Sequence, residues 1–189
     1  MNEKLRATKT NLPGVMVLEP QVFSDDRGFF FESFNEKLLA EKVGYPVNFV
    51  QDNHSKSSFG VLRGLHYQIN SAQGKLVRVI EGAVFDVAVD IRTSSPTFGQ
   101  WFGIELTADN KKQLWVPPDF AHGFAVVSDV AQVLYKTTAY YAPTSERSIR
   151  WDDPLIGIKW PECVGNPSLS EKDEKASTLA EAELPAYEA

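Results

Sequence analysis

Three histidines, His54, His66 and His122, are the side chains of this sequence best suited to acid–base chemistry. An imidazole has an ordinary pKa of about 6.5, so it can take up a proton near neutrality. His66 lies in the extended run Arg63-Gly64-Leu65-His66-Tyr67-Gln68. His122 follows Val116-Pro117-Pro118-Asp119-Phe120-Ala121, a rigid turn, and opens another run of strand formers. His54 has no comparable setting and reads as structural. Two imidazoles without further ligands make a poor zinc or iron site. Gln68 stands two residues after His66, where a His-x-His metal site needs its second ligand, and no Glu follows at a suitable distance. The single cysteine, Cys163, offers neither a thiolate cluster nor an intrachain disulfide. The expected chemistry is therefore acid–base proton transfer and not metal chemistry. A carboxylate on the second nitrogen of the imidazole would orient it and strengthen it as a base.

The elements that position these residues read mostly as short strands. Runs of β-formers cover 15–19, 29–34, 47–52, 61–68, 75–81, 84–91, 102–106, 113–116, 122–127 and 130–140, with turn residues between them. In 84–91, Phe85, Val87, Val89 and Ile91 alternate with Asp86, Ala88 and Asp90. Period 2 places the four apolar side chains on one face and both carboxylates on the other, towards either a pocket or solvent. One helix is expected over 36–43, with Asn35 as its cap, Gly44 as its stop, and Leu38, Leu39 and Val43 as its buried stripe. From about Pro167 the chain is polar, and composition alone makes it a solvated tail. This pattern indicates an all-β sandwich or barrel with a few short helices. Gly60, His66, Gly82 and the Pro118–His122 stretch fall at the spacing of metal-binding cupins, with the scaffold signal kept and the ligand set lost. The expected fold class is a cupin-like jelly-roll β-barrel, with 1–189 as one domain.

Charge and composition narrow the partners. The net charge is −6, which disfavours nucleic acid or an anionic membrane surface as the main partner. The sequence contains no apolar run long enough to span a bilayer, and its first residues lack the apolar core of a signal peptide. The expected location is cytoplasmic.

Several separated motifs, in order, carry a resemblance. They are Ser58-Phe59-Gly60-Val61-Leu62-Arg63-Gly64-Leu65-His66-Tyr67-Gln68, Gln73-Gly74-Lys75-Leu76-Val77-Arg78-Val79 and Val84-Phe85-Asp86-Val87-Ala88-Val89-Asp90-Ile91-Arg92. Pro118-Asp119-Phe120-Ala121-His122-Gly123-Phe124, Leu134-Tyr135-Lys136-Thr137-Thr138 and Trp151-Asp152-Asp153-Pro154 follow. Together they resemble the dTDP-4-dehydrorhamnose 3,5-epimerase family over nearly the whole chain, from about Gly14 to Lys175.

The resemblance implies a homodimeric, cofactor-free isomerase that inverts C3 and C5 of dTDP-4-dehydro-6-deoxyglucose beside its C4 ketone. It implies His66 as the base, Asp173 as the carboxylate that orients it, Tyr135 as the acid on the opposite face of the sugar, and Lys75 as the cation at the C4 oxygen. It implies substrate contacts from Arg27, Phe30 and Glu32, reaching the nucleotide of the neighbouring subunit. Further contacts fall to Gln51, Asn53, Arg63, His122, Glu146 and Lys172, with Tyr141 stacking on thymine and Asp86 in a supporting place. For Asp173 the resemblance overrides the solvated-tail reading. An epimerase acting at one carbon only, a ketoisomerase on the same barrel, a non-catalytic sugar- or nucleotide-binding cupin and a metal-dependent cupin remain the alternatives.

Overall fold

The computed structural model describes residues 3–185. In chain order its elements are β1 (Leu5–Lys9), β2 (Met16–Pro20), β3 (Phe23–Asp25), β4 (Gly28–Phe30), α1 (Glu36–Val43), β5 (Gln51–Ser58), β6 (Leu62–Gln68), β7 (Lys75–Glu81), β8 (Ala83–Asp90), β9 (Trp101–Thr107), β10 (Gln113–Val116), β11 (Phe120–Val126), β12 (Val130–Thr137), β13 (Glu146–Ser148) and α2 (Glu171–Glu174). A six-stranded sheet runs β1-β2-β10-β7-β12-β5, and a five-stranded sheet runs β13-β6-β11-β8-β9. The hairpin β3-β4 pairs separately. The all-β, cupin-like expectation holds, with one amendment: the two sheets remain separate ladders and do not close into a continuous barrel.

Three apolar layers follow from the alternation of side chains along the strands. Between the sheets, Val77, Leu114 and Val133 of one meet Val84, Leu106 and Phe124 of the other. The outer face of the five-stranded sheet buries Val87, Val89 and Ile91 under Ile156 and Leu179. The outer face of the six-stranded sheet buries Met16, Leu76 and Trp115 under Leu39 and Val47. Thus the apolar face expected for 84–91 points outward under the C-terminal segment, and Asp86 and Asp90 point inward, fully buried.

Helix α1 starts where Asn35 accepts the Leu38 N–H and stops where Gly44 turns left-handed, at φ 92°. Of its expected stripe, Leu39 is buried and Val43 packs beside it. The strand expected over 29–34 pairs only at Gly28–Phe30, and the one expected over 47–52 begins at Gln51. Val47 is apolar because it packs on the outer face of the sheet, not because it joins the ladder. The strand expected over 130–140 ends at Thr137.

A bulge in β6 aims the first histidine. His66 pairs with His122, yet Arg63 pairs with Phe124, so β6 carries one more residue than β11 between those points. The extra residue lets Leu62 and Leu65 both pack outward while His66 turns to the interior. Gly64 makes this possible. Its φ is 138°, and a Cβ there would sit 2.5 Å from the Gly123 Cα. Gly64→Ala is expected to lower stability by about 2 kcal/mol or more, and the melting temperature by roughly 4–8 °C, with loss of turnover as His66 shifts. Calorimetry and an activity assay check this; an unchanged melting temperature and rate would refute it.

The C-terminal segment is tied back along the five-stranded sheet. Ser168 donates its N–H to Gly60 and accepts one from Leu62, and Arg150 donates to Ser177. Buried Asp153 accepts N–H groups from Leu155, Ile156 and Leu179. These bonds set α2 beside β6, so the polar tail packs against the sheet and buries Asp173, while Glu171, Lys172, Glu174 and Lys175 stay exposed.

Candidate active site

A cavity of about 170 Å³ opens between the sheets. Gln51 and Asn53 on β5, Lys75 on β7 and Tyr135 on β12 line it from the six-stranded sheet. His66 and Gln68 on β6, and Glu146 on β13, line it from the five-stranded sheet, with Tyr141 at its edge. Sequence positions far apart therefore converge because inward-facing residues of two sheets share one space.

His66 Nε2 lies 2.5 Å from Asp173 Oδ1. The Asp173 side chain is 3% exposed, and its second oxygen accepts the Ser170 hydroxyl at 2.9 Å. Burial alone would raise the Asp173 pKa, but the bonds from His66 and Ser170 outweigh it and hold the carboxyl below 3.8. An ionised Asp173 accepts Nε2–H, which leaves the Nδ1 lone pair of His66 as its basic site. Burial pulls the His66 pKa below 6.5, and this wins over the bond and charge of Asp173. His66 is thus a neutral base at neutral pH.

Lys75 is buried, and its Nζ donates to the His66 carbonyl at 3.3 Å. Burial lowers its pKa to about 8, against the opposing pull of Asp86 and Glu146. Its ammonium is therefore a desolvated charge within the cavity, of high value to a developing oxyanion. Tyr135 lines the same cavity from the adjacent strand β12, opposite Val77, and burial raises its phenol above 10. Glu146 accepts the Tyr141 hydroxyl at 2.9 Å and the Lys172 ammonium at 2.7 Å.

His122 sits opposite His66 in the β6–β11 pair, and its Nε2 meets both oxygens of Asp86 at 3.0 and 3.1 Å. This decides between the two readings of Asp86, which serves the interior. Asp90 instead braces a turn through Arg92, Ser95 and Thr97. The Nε2 atoms of His66 and His122 are each matched to a carboxylate. Among the described residues, no group of three or more His, Cys, Asp or Glu side chains converges to hold a metal ion.

Arg63 is exposed, bonds Ser57 through Nε at 3.0 Å, and its charge reaches Tyr135. Arg27, Phe30 and Glu32 do not line this cavity. Arg27 and Phe30 lie on the hairpin β3-β4, with Arg27 held by Asp25 at 2.5 Å and Phe30 69% exposed. The sequence reading overlooked Ser170, although Ser170-x-x-Asp173 has the spacing of a helix-capping pair, and Ser170 does cap α2. It also assigned no role to Gln68 or Gln73.

A family described as dTDP-4-dehydrorhamnose 3,5-epimerase has a model that matches residues 9–181. The chain belongs to the dTDP-4-dehydrorhamnose 3,5-epimerase family. A dTDP-4-dehydrorhamnose 3,5-epimerase of Pseudomonas aeruginosa is 58% identical to this family member over 95% of the chain and 98% of its own length. The crystal structure of a Legionella pneumophila dTDP-6-deoxy-D-glucose-3,5-epimerase, in complex with dTDP-4-keto-L-rhamnose, superposes with a TM-score of 0.94 at 50% identity, covering 98% of this chain and 100% of that one. A 3'-monoepimerase of Streptomyces bikiniensis in complex with dTDP-quinovose has a TM-score of 0.88 at 35% identity, covering 94% and 92%. The described residues of this epimerase-family chain include no helix long and apolar enough to cross a membrane.

Proposed function

We propose that the cavity epimerises C3 and C5 of dTDP-4-dehydro-6-deoxy-D-glucose, on the way to dTDP-L-rhamnose. The observation that carries this reading is the placement of a neutral base and a protonated phenol on opposite walls of one cavity, His66 from the five-stranded sheet and Tyr135 from the six-stranded one. A C–H beside the C4 ketone is acidic because its carbanion delocalises as an enolate. His66 Nδ1 takes that proton while Lys75 stabilises the O4 charge, with His122, fixed by Asp86, supporting it. The Tyr135 hydroxyl delivers a proton to the other face, and solvent restores both residues. Repeating the step at the second carbon gives the double inversion, since C4 activates both. No metal or cofactor enters this scheme.

The substrate's nucleotide lies along Tyr141, Glu146 and Lys172, within reach of Gln51, Asn53 and Arg63. Arg27, Phe30 and Glu32 serve the cavity of a second copy in a homodimer. The exposed Phe23, Phe29 and Phe30 support this, as apolar rings left bare on a small hairpin. The enzyme works in the cytoplasm, on this reading.

Incubation with the keto sugar in heavy water tests the proposal, with deuterium expected at both C3 and C5. Label at one carbon only would replace it with single-centre inversion, the activity named for the Streptomyces relative. Tyr135→Phe is expected to retain proton exchange, because His66 can return a proton to the face it took it from. Formation of the inverted product should fall by about 10²–10⁴-fold. Product formed at the wild-type rate in Tyr135→Phe would overturn the assignment of the acid.

A further inference from the structure

Residues 139–142 connect β12 to β13 without joining either ladder, so their backbone groups need other partners. Glutamine side chains supply several, beside the Thr137 hydroxyl on the Ala139 carbonyl and the Ser145 N–H on the Ala142 carbonyl. Gln73 Nε2 donates to the Ala139 carbonyl at 2.9 Å, and Gln51 Oε1 accepts the Tyr141 N–H at 3.0 Å. Gln68 does most. Its Nε2 donates to the Tyr140 carbonyl at 3.2 Å and the Ser71 carbonyl at 2.6 Å, and its Oε1 accepts the Ala142 N–H at 2.8 Å. Gln68 is 4% exposed, so these bonds have no competition from water. The residue that stands where a metal site would need a ligand is instead a fully engaged amide.

The segment it grips carries the Tyr141 ring, which is 51% exposed. The ring is held at both ends: Gln51 accepts the Tyr141 N–H, Gln68 bonds the Tyr140 carbonyl and Ala142 N–H on either side of it, and Glu146 accepts its hydroxyl. An exposed aromatic face fixed in this way is a preorganised platform for a flat ligand, because little freedom remains to be lost on binding.

We propose that Gln68 is a positioning residue for nucleobase recognition, acting through Tyr141 and not by touching the ligand. This rests on the reading of the cavity as a dTDP-sugar site. The test is a double-variant cycle on the full chain, reading dTDP affinity by calorimetry. Tyr141→Ala is expected to weaken dTDP binding roughly tenfold or more, the loss of one stacked base. Gln68→Met, which keeps the length and removes the bonds, is expected to weaken it about fivefold. The double variant should bind no more weakly than Tyr141→Ala alone, since the two act in series. In Gln68→Met the loss should fall more on KM than on kcat, as expected for a residue that acts through the base platform.

Unchanged affinity in Gln68→Met, or effects that multiply in the double variant, would overturn the proposal while leaving the dTDP-site reading intact. Unchanged affinity in Tyr141→Ala would overturn that reading of the ring, and the proposal with it. Should Gln68→Met fail to fold, Gln68→Glu enters the same cycle under the same criteria, because it keeps the acceptor for Ala142 and sets a carboxylate against two carbonyls.

Discussion

His66→Ala should bind dTDP with near-normal affinity and lose turnover by about 10²–10⁴-fold, the usual contribution of a positioned general base. Deuterium incorporation from heavy water should fall by the same factor at both carbons, because one base serves both. The expectation comes from the pair, not from His66 alone. Asp173 holds Nε2 at 2.5 Å, is itself nearly inaccessible, and is kept ionised by the His66 and Ser170 bonds. It therefore fixes which nitrogen carries the proton and supports the imidazolium that forms. Asp173→Asn preserves the shape and removes that control. In serine proteases the equivalent change costs about 10⁴-fold through the wrong tautomer, so at least about 10²-fold is expected here. The two losses should not multiply. A double variant should be about as slow as His66→Ala, as expected for residues that act as one unit. Exchange that persists in His66→Ala would remove His66 from the role of base.

How much of this was legible in the sequence depends on whether the cause was local. The α1 boundaries were, because a cap and a left-handed glycine act within one turn. The two faces of 84–91 were, because strict alternation leaves no other assignment, although whether the carboxylates met solvent or interior depended on what covered each face. Strands β1 and β13 were not legible. Leu5–Lys9 has a largely polar sequence and Glu146–Ser148 is short, and both are held by backbone pairing that no side-chain pattern records. The bulge at Gly64 needed the approach of Gly123, a residue on another strand. Asp173 is the sharpest case. It lies 107 positions from His66 in a stretch of charges, and local composition points to solvent. Only the resemblance identified it from sequence, and only the return of 168–177 along the sheet explains physically how it arrives. The convergence of Gln51, Gln68 and Gln73 on 139–142 was equally hidden, since all three lie 66 or more positions from the groups they bond there.

Lys75 carries the other large effect. Lys75→Met should lower turnover by about 10²–10³-fold, the range for removing one donor from a preorganised oxyanion site. Its pH signature separates this role from a structural one. The pKa of Lys75 falls from 10.5 to about 8 because burial penalises the charge more than Asp86 and Glu146 support it. The charged form is the useful one, so kcat/KM should decline as pH rises through about 8. On the acid side, His66 must be neutral to act, and burial has moved its pKa below 6.5, so the rising limb should lie below that value. The result is a bell with its plateau around neutrality. Lys75→Arg discriminates further. A guanidinium stays protonated throughout this range. The variant should be slower, because the planar group does not fit the same space, but its alkaline limb near 8 should vanish. If that limb stays in Lys75→Arg, another group sets it. Tyr135 would be a poor candidate, because burial moves its phenol above 10, away from the limb it would have to explain.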